Sequence, residues 1–224
     1  MIILHLLPGL AAVAVFVLAA PPLARAGLPP VWGMFLAVLL AVAPVELAII
    51  RRYGPIRAVV DLALPRRRDL LRRLLPALLG AALAPGLVQW AEPGLHRAVS
   101  VALPQWWRLD PQVGAGRGAW VDMVTVAGWL LTLVLVGPVV EEVYFRGFLL
   151  PRIPAARPVA VVANAALFAM YHLWQPHTWL TVFVFAVALA AVAVRPRGIA
   201  LAAIVHVTVN ALGFAALLSA VAQR

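Results

Sequence analysis

The sequence predicts an all-α, polytopic membrane helical bundle with about seven transmembrane helices. Its 224 residues are 65% hydrophobic and only 12% charged, with a mean hydropathy of +1.00, which is far too apolar for a soluble domain of this length. Apolar runs long enough to cross a hydrocarbon core of ~30 Å recur along the whole chain. Because no hydrophilic stretch could form a separate soluble domain, we predict a single integral membrane domain over residues 1–224.

The individual spans follow from the apolar runs and from the proline, glycine and arginine residues that separate them. The first run ends in Ala-Arg-Ala at 24–26, like a signal-peptide cleavage site, but no positive charge precedes it, so we predict a retained span. Residues 92–119 are predicted to form a loop on the membrane interface, because they mix proline, glycine and charge with a Trp-Trp pair. The predicted spans are 2–23, 31–50, 74–90, 120–150, 159–174, 179–194 and 199–221.

The basic residues indicate how the chain is oriented. All 18 are arginine, and eight of them fall in the basic segment 51–73, which the positive-inside rule places in the cytoplasm. The alternation of spans then puts 13 arginines inside and five outside, and seven of the eight tryptophans near the outer membrane surface. We predict a cytoplasmic N-terminus. The net charge of +10 is explained by topology and by contact with anionic lipid head groups, so we expect no nucleic-acid partner.

The composition also excludes several kinds of catalysis. The chain has no cysteine, which rules out thiolate catalysis, disulfides and cysteine metal sites. It has no lysine, and its two serines, Ser100 and Ser219, lack a G-x-S-x-G setting. Serine–lysine chemistry and a P-loop are therefore excluded, and a rhomboid-like serine site is not expected.

Two adjacent carboxylates and an arginine lie in the otherwise apolar span 120–150. Each ionised residue near a helix centre costs ~2.5 to 3.5 kcal/mol on insertion scales, so chance placement is not expected. Glu142 and Arg146 are four residues apart on one helix face and can form a pair, whereas Glu141 points about 100° away and stays available. An ordinary ion-paired helix end is the alternative for this segment taken alone.

Two later spans carry further polar side chains. His172 follows Phe168 by one helical turn, and His206 precedes Asn210 by one turn. A single buried histidine is commonly structural, but three polar clusters in three apolar helices favour a shared site. At 1.5 Å per residue, Glu141 lies ~15 Å, His206 ~12 Å and His172 ~22 Å from the inner helix ends, and ordinary tilt lets these depths meet. Such a set could activate water and stabilise an oxyanion.

The series E-E-x-x-x-R, F-x-x-x-H and H-x-x-x-N, in this order on successive spans, resembles the CAAX protease and bacteriocin-processing (CPBP) family of intramembrane endopeptidases, which includes the Ras-converting CAAX endopeptidase. The resemblance covers residues 120–214, the protease core, and leaves the N-terminal spans of 1–119 without a motif to align. The resemblance implies water activation by Glu141, support by Glu142 paired with Arg146, orientation of water or substrate by His172, and oxyanion stabilisation by His206 with Asn210.

The function expected from these residues is hydrolysis of a peptide bond near the C-terminus of a membrane-anchored peptide or protein. The all-arginine basic set indicates a GC-rich genome, and hence the inner membrane of a prokaryote, where peptide or sorting-signal processing is favoured over prenylated substrates. Two other classes stay open. One is a non-enzymatic bacteriocin-immunity or scaffolding protein, and the other is a proton-coupled transporter.

No cofactor is expected. Glu141, His172 and His206 would be an acceptable zinc ligand set by type, which leaves zinc as an alternative. The chain has no H-E-x-x-H motif, and the Asn210 amide suits an oxyanion better than a zinc ion.

Other polar residues are assigned minor roles. Glu46 and Asp122 are placed at interface depth with no special function, and His5 and His177 are placed at the membrane interface. Asn164 is expected either to support the site or to bond a neighbouring helix.

Overall fold

A computed structural model describes residues 2–54, 66–88, 90–107, 109 and 112–223. This part of the chain is helical, without a strand, which confirms the predicted all-α class. Short 3₁₀ turns cover Ala84–Leu87, Gln105–Trp107 and Pro176–Thr178. The helices are α1 (Ile2–Arg25), α2 (Val31–Tyr53), α3 (Arg67–Leu83), α4 (Glu92–Ala102), α5 (Ala119–Arg152), α6 (Arg157–Tyr171), α7 (Trp179–Ala193) and α8 (Gly198–Ala222).

Six of the described helical stretches are long and apolar enough to cross a membrane. The remaining predicted span, 159–174, corresponds to α6, an apolar helix of 15 residues. At 1.5 Å per residue it is ~22 Å long, shorter than the ~30 Å hydrocarbon core. Six long helices and one short helix agree with a polytopic bundle of about seven spans.

Helix α5 is one long element, as predicted, but its winding changes along its length. Two π-helical segments, Leu130–Val136 and Glu142–Leu149, flank the α-helical turn Gly137–Glu141. A π turn interrupts the regular ladder of backbone hydrogen bonds and is often found at functional sites. The side-chain amide of Asn164 donates to the Phe145 carbonyl oxygen at 2.8 Å. Asn164 therefore bonds the neighbouring helix, at the very segment that carries Glu142.

The largest apolar cluster joins α1, α2, α5, α6 and α7. At its centre Phe145 of α5 meets Phe168 of α6 edge to face, with ring centroids 4.9 Å apart, a geometry that aromatic pairs favour. Phe16 of α1 packs edge to face on Trp107, at 5.4 Å. The Trp-Trp pair thus packs against the helices instead of only resting on the interface.

The region between α3 and α5 differs from the prediction. Residues 92–119 were expected to be a loop, yet they contain α4. Pro93 lies in the first turn of this helix, where a missing backbone N–H costs no hydrogen bond. Of the basic segment 51–73, residues 55–65 lie outside the described residues. Arg51 and Arg52 are exposed at the end of α2, and Arg66 to Arg68 are exposed at the start of α3.

Helix α1 approaches the end of α6 closely at Gly9. A Cβ atom at this position would overlap the backbone carbonyl oxygen of Tyr171. Because backbone cannot move aside as a flexible side chain can, only glycine lets the two helices meet at this distance. The contact fixes the end of α6, from which His172 follows.

We predict that Gly9→Ala lowers the free energy of unfolding by about 1–3 kcal/mol, the usual cost of overfilling a packed core. Thermal unfolding of the detergent-solubilised protein measures the change. Gly80→Ala in α3 is the matched control, because a Cβ there meets no atom within 4 Å and should leave stability unchanged or raise it. Equal melting temperatures for the two variants would contradict the close contact.

Candidate active site

A cavity of about 440 Å³ lies among α2, α5, α6, α7 and α8. Four of the six residues singled out in the sequence line it, and apolar side chains such as Phe168, Trp129 and Phe214 supply most of the remaining wall. The other two lie directly behind this wall and contact those that line it. The four lining residues are Glu141, His172, His206 and Asn210.

Glu141 presents its carboxylate to the cavity and is 7% exposed. Its Oε1 atom accepts a hydrogen bond from the hydroxyl of Tyr171 at 3.1 Å. Its Oε2 atom lies 3.9 Å from Nε2 of His206, beyond hydrogen-bonding distance. One oxygen is therefore held by protein, and the other is left for a small molecule in the cavity.

Glu142, by contrast, is fully buried, and one of its two carboxylate oxygens contacts two other side chains. Its Oε1 atom is 3.2 Å from Nη1 of Arg146 and 2.9 Å from Nδ1 of His206. The predicted pairing of Glu142 with Arg146 is therefore present in the structure. The second partner was not predicted. Glu142 also orients His206 on α8, so the carboxylate joins two helices.

The buried guanidinium of Arg146 is held by more than its ion pair. Its Cζ atom lies 4.3 Å from the centroid of the Phe168 ring, within the range of a cation–π contact. Its Nη2 atom donates a long hydrogen bond, 3.4 Å, to the backbone oxygen of Ala186 on α7. Arg146 thereby ties α5 to both α6 and α7.

The two imidazoles have defined orientations. His172 comes directly after α6, and its Nδ1 atom is 2.7 Å from the Phe168 carbonyl oxygen. A carbonyl only accepts, so Nδ1 carries the proton and donates it, which leaves Nε2 of the neutral ring as an acceptor. In His206 the Glu142 carboxylate likewise requires a proton on Nδ1. Both rings therefore engage the protein through Nδ1 and have Nε2 left over.

Asn210 lies one turn after His206 and is partly buried. Its Nδ2 atom donates to the carbonyl oxygen of Leu133 at 2.9 Å, within the first π segment of α5. This hydrogen bond uses one of the two amide N–H groups. The other N–H can still donate, and the side-chain oxygen can still accept. The amide group is thus anchored with a donor still available beside the cavity.

Tryptophans fix the chain around the end of α6. Nε1 of Trp179 donates to the carbonyl oxygen of His172 at 2.9 Å, and Nε1 of Trp107 donates to that of Trp174 at 2.8 Å. These bonds tie the segment after His172 to α7 and to the 3₁₀ turn before α5. Hydrogen bonds to its ring, to its backbone and to the segment that follows it therefore hold His172 in place.

Two residues near the site were not identified from the sequence. Tyr171 bonds Glu141, yet a tyrosine at a helix end is also what a membrane interface favours. Glu46 was predicted to have no special function at interface depth, and its side chain is fully buried inside the protein. His5, also placed at the interface, is buried as well and is hydrogen-bonded to the Tyr144 hydroxyl at 2.9 Å.

The alternative of a zinc site can be compared with the geometry. Within the described ranges, no group of three or more histidine, aspartate or glutamate side chains is arranged to hold a metal ion. Among the candidate ligands, Oε2 of Glu141 and Nε2 of His206 are 3.9 Å apart. Zinc therefore stays an alternative that metal analysis of the protein has to test.

No curated protein and no solved structure shows a significant match to this chain. Residues 123–212 match a family model described as type II CAAX prenyl endopeptidase Rce1-like. This range begins in α5 and ends in α8, and it contains all six of the polar residues that the sequence singled out. Over these 90 of its 224 residues, the chain is similar to the family of CAAX proteases.

Proposed function

We propose that this protein is an intramembrane endopeptidase in which Glu141 activates a water molecule to hydrolyse a peptide bond near the C-terminus of its substrate. The general class, a CAAX-type intramembrane protease acting on a membrane-associated protein, is supported by the family match of residues 123–212. The observation that carries the finer proposal is the placement of Glu141. One carboxylate oxygen is held by Tyr171 and the other is unengaged beside two imidazoles and an amide.

In the proposed reaction, water lies between Glu141 and Nε2 of His172. Glu141 takes one proton as the water oxygen attacks the carbonyl carbon of the scissile bond. The negative charge that develops on the carbonyl oxygen is stabilised by the free N–H of Asn210 and by the His206 side chain. When the tetrahedral intermediate collapses, Glu141 returns its proton to the departing amine. Proton and charge then balance over one cycle without a bound metal.

Burial strengthens each of these effects. The cavity wall is mostly apolar, so charges inside it are poorly screened and act over longer distances than in water. The Glu142–His206 contact at 2.9 Å holds the imidazole before the reaction begins. A preorganised donor does not have to reorient as charge develops, which is the main source of its catalytic value.

The shape of the cavity bears on the substrate. Leu109, Trp174, Gln175 and Leu217 line both the 440 Å³ cavity and a second cavity of about 700 Å³. The second cavity continues to His96 on α4, at the end of the bundle that the arginine distribution assigns to the outside. We therefore favour processing of an exported peptide or a C-terminal sorting signal in the inner membrane of a prokaryote, over cleavage of a prenylated cytoplasmic tail.

Glu141→Gln should abolish cleavage, with a loss of at least 10²-fold, because an amide cannot accept the proton of water. The assay uses proteoliposomes that contain the protein and one of two quenched fluorescent peptides. One peptide ends in a prenylated cysteine followed by three residues, and the other ends in an apolar segment and a basic tail. Cleavage of the second alone would support the sorting-signal substrate.

Asp122→Asn is the matched control for Glu141→Gln, since it makes the same carboxyl-to-amide change on the same helix. Asp122 accepts a hydrogen bond from the Gly114 N–H outside the cavity, so the variant should cleave at the wild-type rate. Full activity of folded Glu141→Gln would refute glutamate catalysis. A cellular effect that persists in this variant would favour the immunity or scaffolding alternative, and a proton flux dependent on Glu141 would favour a transporter.

Removal of divalent metals should leave the activity unchanged. Excess EDTA, followed by phenanthroline, is added to the proteoliposome assay, and the zinc content of the purified protein is measured by mass spectrometry. We expect far less than one zinc ion per chain and no loss of rate, because the reaction proposed above needs only the side chains and water. Inactivation that added zinc reverses would show a metal enzyme.

The predicted orientation can be tested because the chain contains no cysteine. A membrane-impermeant maleimide should label Ser100→Cys in intact cells but label Arg68→Cys only after permeabilisation. Both side chains are exposed. Arg68 lies at the start of α3, and Ser100 follows the end of this helix, in α4. The reverse labelling pattern would place the N-terminus outside and would overturn the proposed outer entrance to the cavity.

A further inference from the structure

Gln175 is a polar residue of the cavity wall that the mechanism above does not use. It lines both the cavity of about 440 Å³, which contains Glu141, and the second cavity of about 700 Å³. Among the described residues, five belong to both cavity walls. Of these five, only Gln175 has a side chain that both donates and accepts hydrogen bonds. The five are Leu109, Trp129, Trp174, Gln175 and Leu217.

The backbone of Gln175 is held by its neighbours. Its N–H donates to the His172 carbonyl oxygen at 3.1 Å. Its own carbonyl oxygen accepts from the N–H and from the hydroxyl of Thr178, at 3.0 and 2.9 Å. Nε1 of Trp179 also bonds the His172 oxygen, at 2.9 Å. The point from which the Gln175 side chain leaves the backbone is therefore fixed before a substrate arrives.

The side-chain amide of Gln175 is, in contrast, not engaged. It is partly buried, and no group in the described part of the chain forms a hydrogen bond with it. The amide has two N–H donors and an oxygen with two lone pairs. Such a group costs free energy when it loses water without gaining a partner. A ligand that fills the cavity beside Gln175 therefore has to offer hydrogen-bonding groups of its own.

A peptide in an extended conformation offers these groups. Each of its residues other than proline carries one backbone N–H and one carbonyl oxygen, and both need partners in an apolar surrounding. A glutamine amide can donate to the carbonyl oxygen and accept from the N–H. Main-chain hydrogen bonds of this kind give affinity without selecting a side chain. The chemistry of Gln175 thus suits the backbone of a peptide substrate.

Gln175 also lies close to the site of the proposed reaction. Residues 172–175 form a turn that is closed by the hydrogen bond from the Gln175 N–H to the His172 oxygen, and a turn brings its first and last Cα atoms within ~7 Å. An extended peptide advances ~3.4 Å per residue. With the scissile bond beside His172, Gln175 therefore faces the peptide backbone about two residues away, toward the second cavity.

We propose that Gln175 is a substrate-binding residue, whose side-chain amide pairs with the backbone of the peptide about two residues from the scissile bond. This inference rests on the proposed function. It assigns the cavity that contains Glu141 to the scissile bond and the second cavity to the continuing segment of the same peptide. Gln175 holds the peptide where the two cavities meet.

The test measures kcat and KM of Gln175→Met in the proteoliposome assay with the cleaved peptide. Met keeps the unbranched shape of Gln and removes both hydrogen-bonding groups. KM should rise about tenfold, as expected for one hydrogen bond lost in an apolar site. The value of kcat should stay within about twofold of wild type, because the bond is made equally in the ground state and the transition state. The unfolding temperature should not fall, since no protein group loses a partner.

Gln105→Met is the matched control. Gln105 lines the second cavity but not the cavity of Glu141, and its side chain is exposed. Water can replace any hydrogen bond that this residue makes, so the same substitution should leave KM within about twofold of wild type. An equal rise in KM for the two variants would overturn the assignment to Gln175.

A series of substrate peptides locates the partner of Gln175. In each peptide one amide near the scissile bond is replaced by an ester, which lacks the N–H and has a weaker acceptor oxygen. One ester about two residues from the scissile bond should raise KM of the wild type about tenfold but change KM of Gln175→Met by less than about twofold, because that contact is already lost. Additive effects at every position would overturn the proposal, and so would a lower kcat at constant KM for Gln175→Met.

The two proposals fail in distinguishable ways. Fluorescence anisotropy measures peptide affinity of Glu141→Gln with and without Gln175→Met, independently of turnover. If Glu141→Gln is inactive and both proteins bind the peptide equally, glutamate catalysis stands and the role of Gln175 is refuted. If folded Glu141→Gln cleaves at the full rate, glutamate catalysis is refuted, whereas the ester series still decides whether Gln175 binds the peptide.

Discussion

The structure depends on one buried carboxylate, that of Glu142. Its Oε1 atom forms an ion pair with Nη1 of Arg146 at 3.2 Å and accepts a hydrogen bond from Nδ1 of His206 at 2.9 Å. Arg146 also contacts the Phe168 ring and α7. Four helices thus meet around one negative charge in an apolar interior. Removing one partner of a buried ion pair leaves an unpaired charge and typically costs about 3–5 kcal/mol. The packing of α5 through α8 is therefore constrained to keep this set together.

The helices satisfy this constraint by departing from regular α-helical winding. The π segments of α5 change the direction of the side chains that follow them and interrupt regular backbone pairing. Asn210 and Asn164 bond the carbonyl oxygens of Leu133 and Phe145 within these segments. The polar residues of α6 and α8 therefore have two tasks. They donate hydrogen bonds to backbone carbonyl oxygens, which would cost free energy if they were left unpaired in a membrane. They also hold the neighbouring helices against α5.

Most of the site could be predicted from the sequence because polar residues are conspicuous in apolar spans. The cost of placing Glu141, His172 or His206 in a membrane identifies each one singly, and helical spacing pairs Glu142 with Arg146. Tyr171 and Glu46 needed the structure. A tyrosine at a helix end has an ordinary explanation at the interface, and the burial of Glu46 depends on the packing of α2 against α5. Neither leaves a periodic signal in the sequence. The helix α4 was missed because its prolines and glycines are typical of a loop.

The adjacent glutamates acquire different properties although they are neighbours in one helix. Their side chains leave the helix about 100° apart, so Glu142 reaches Arg146 and His206 while Glu141 reaches Tyr171 and the cavity. A base that acts on water cannot also be neutralised by a strong ion pair. A residue that fixes an imidazole, on the other hand, has to stay engaged throughout the reaction. Two carboxylates at successive positions meet both requirements, because the backbone that separates their directions also keeps them within reach of the same histidine.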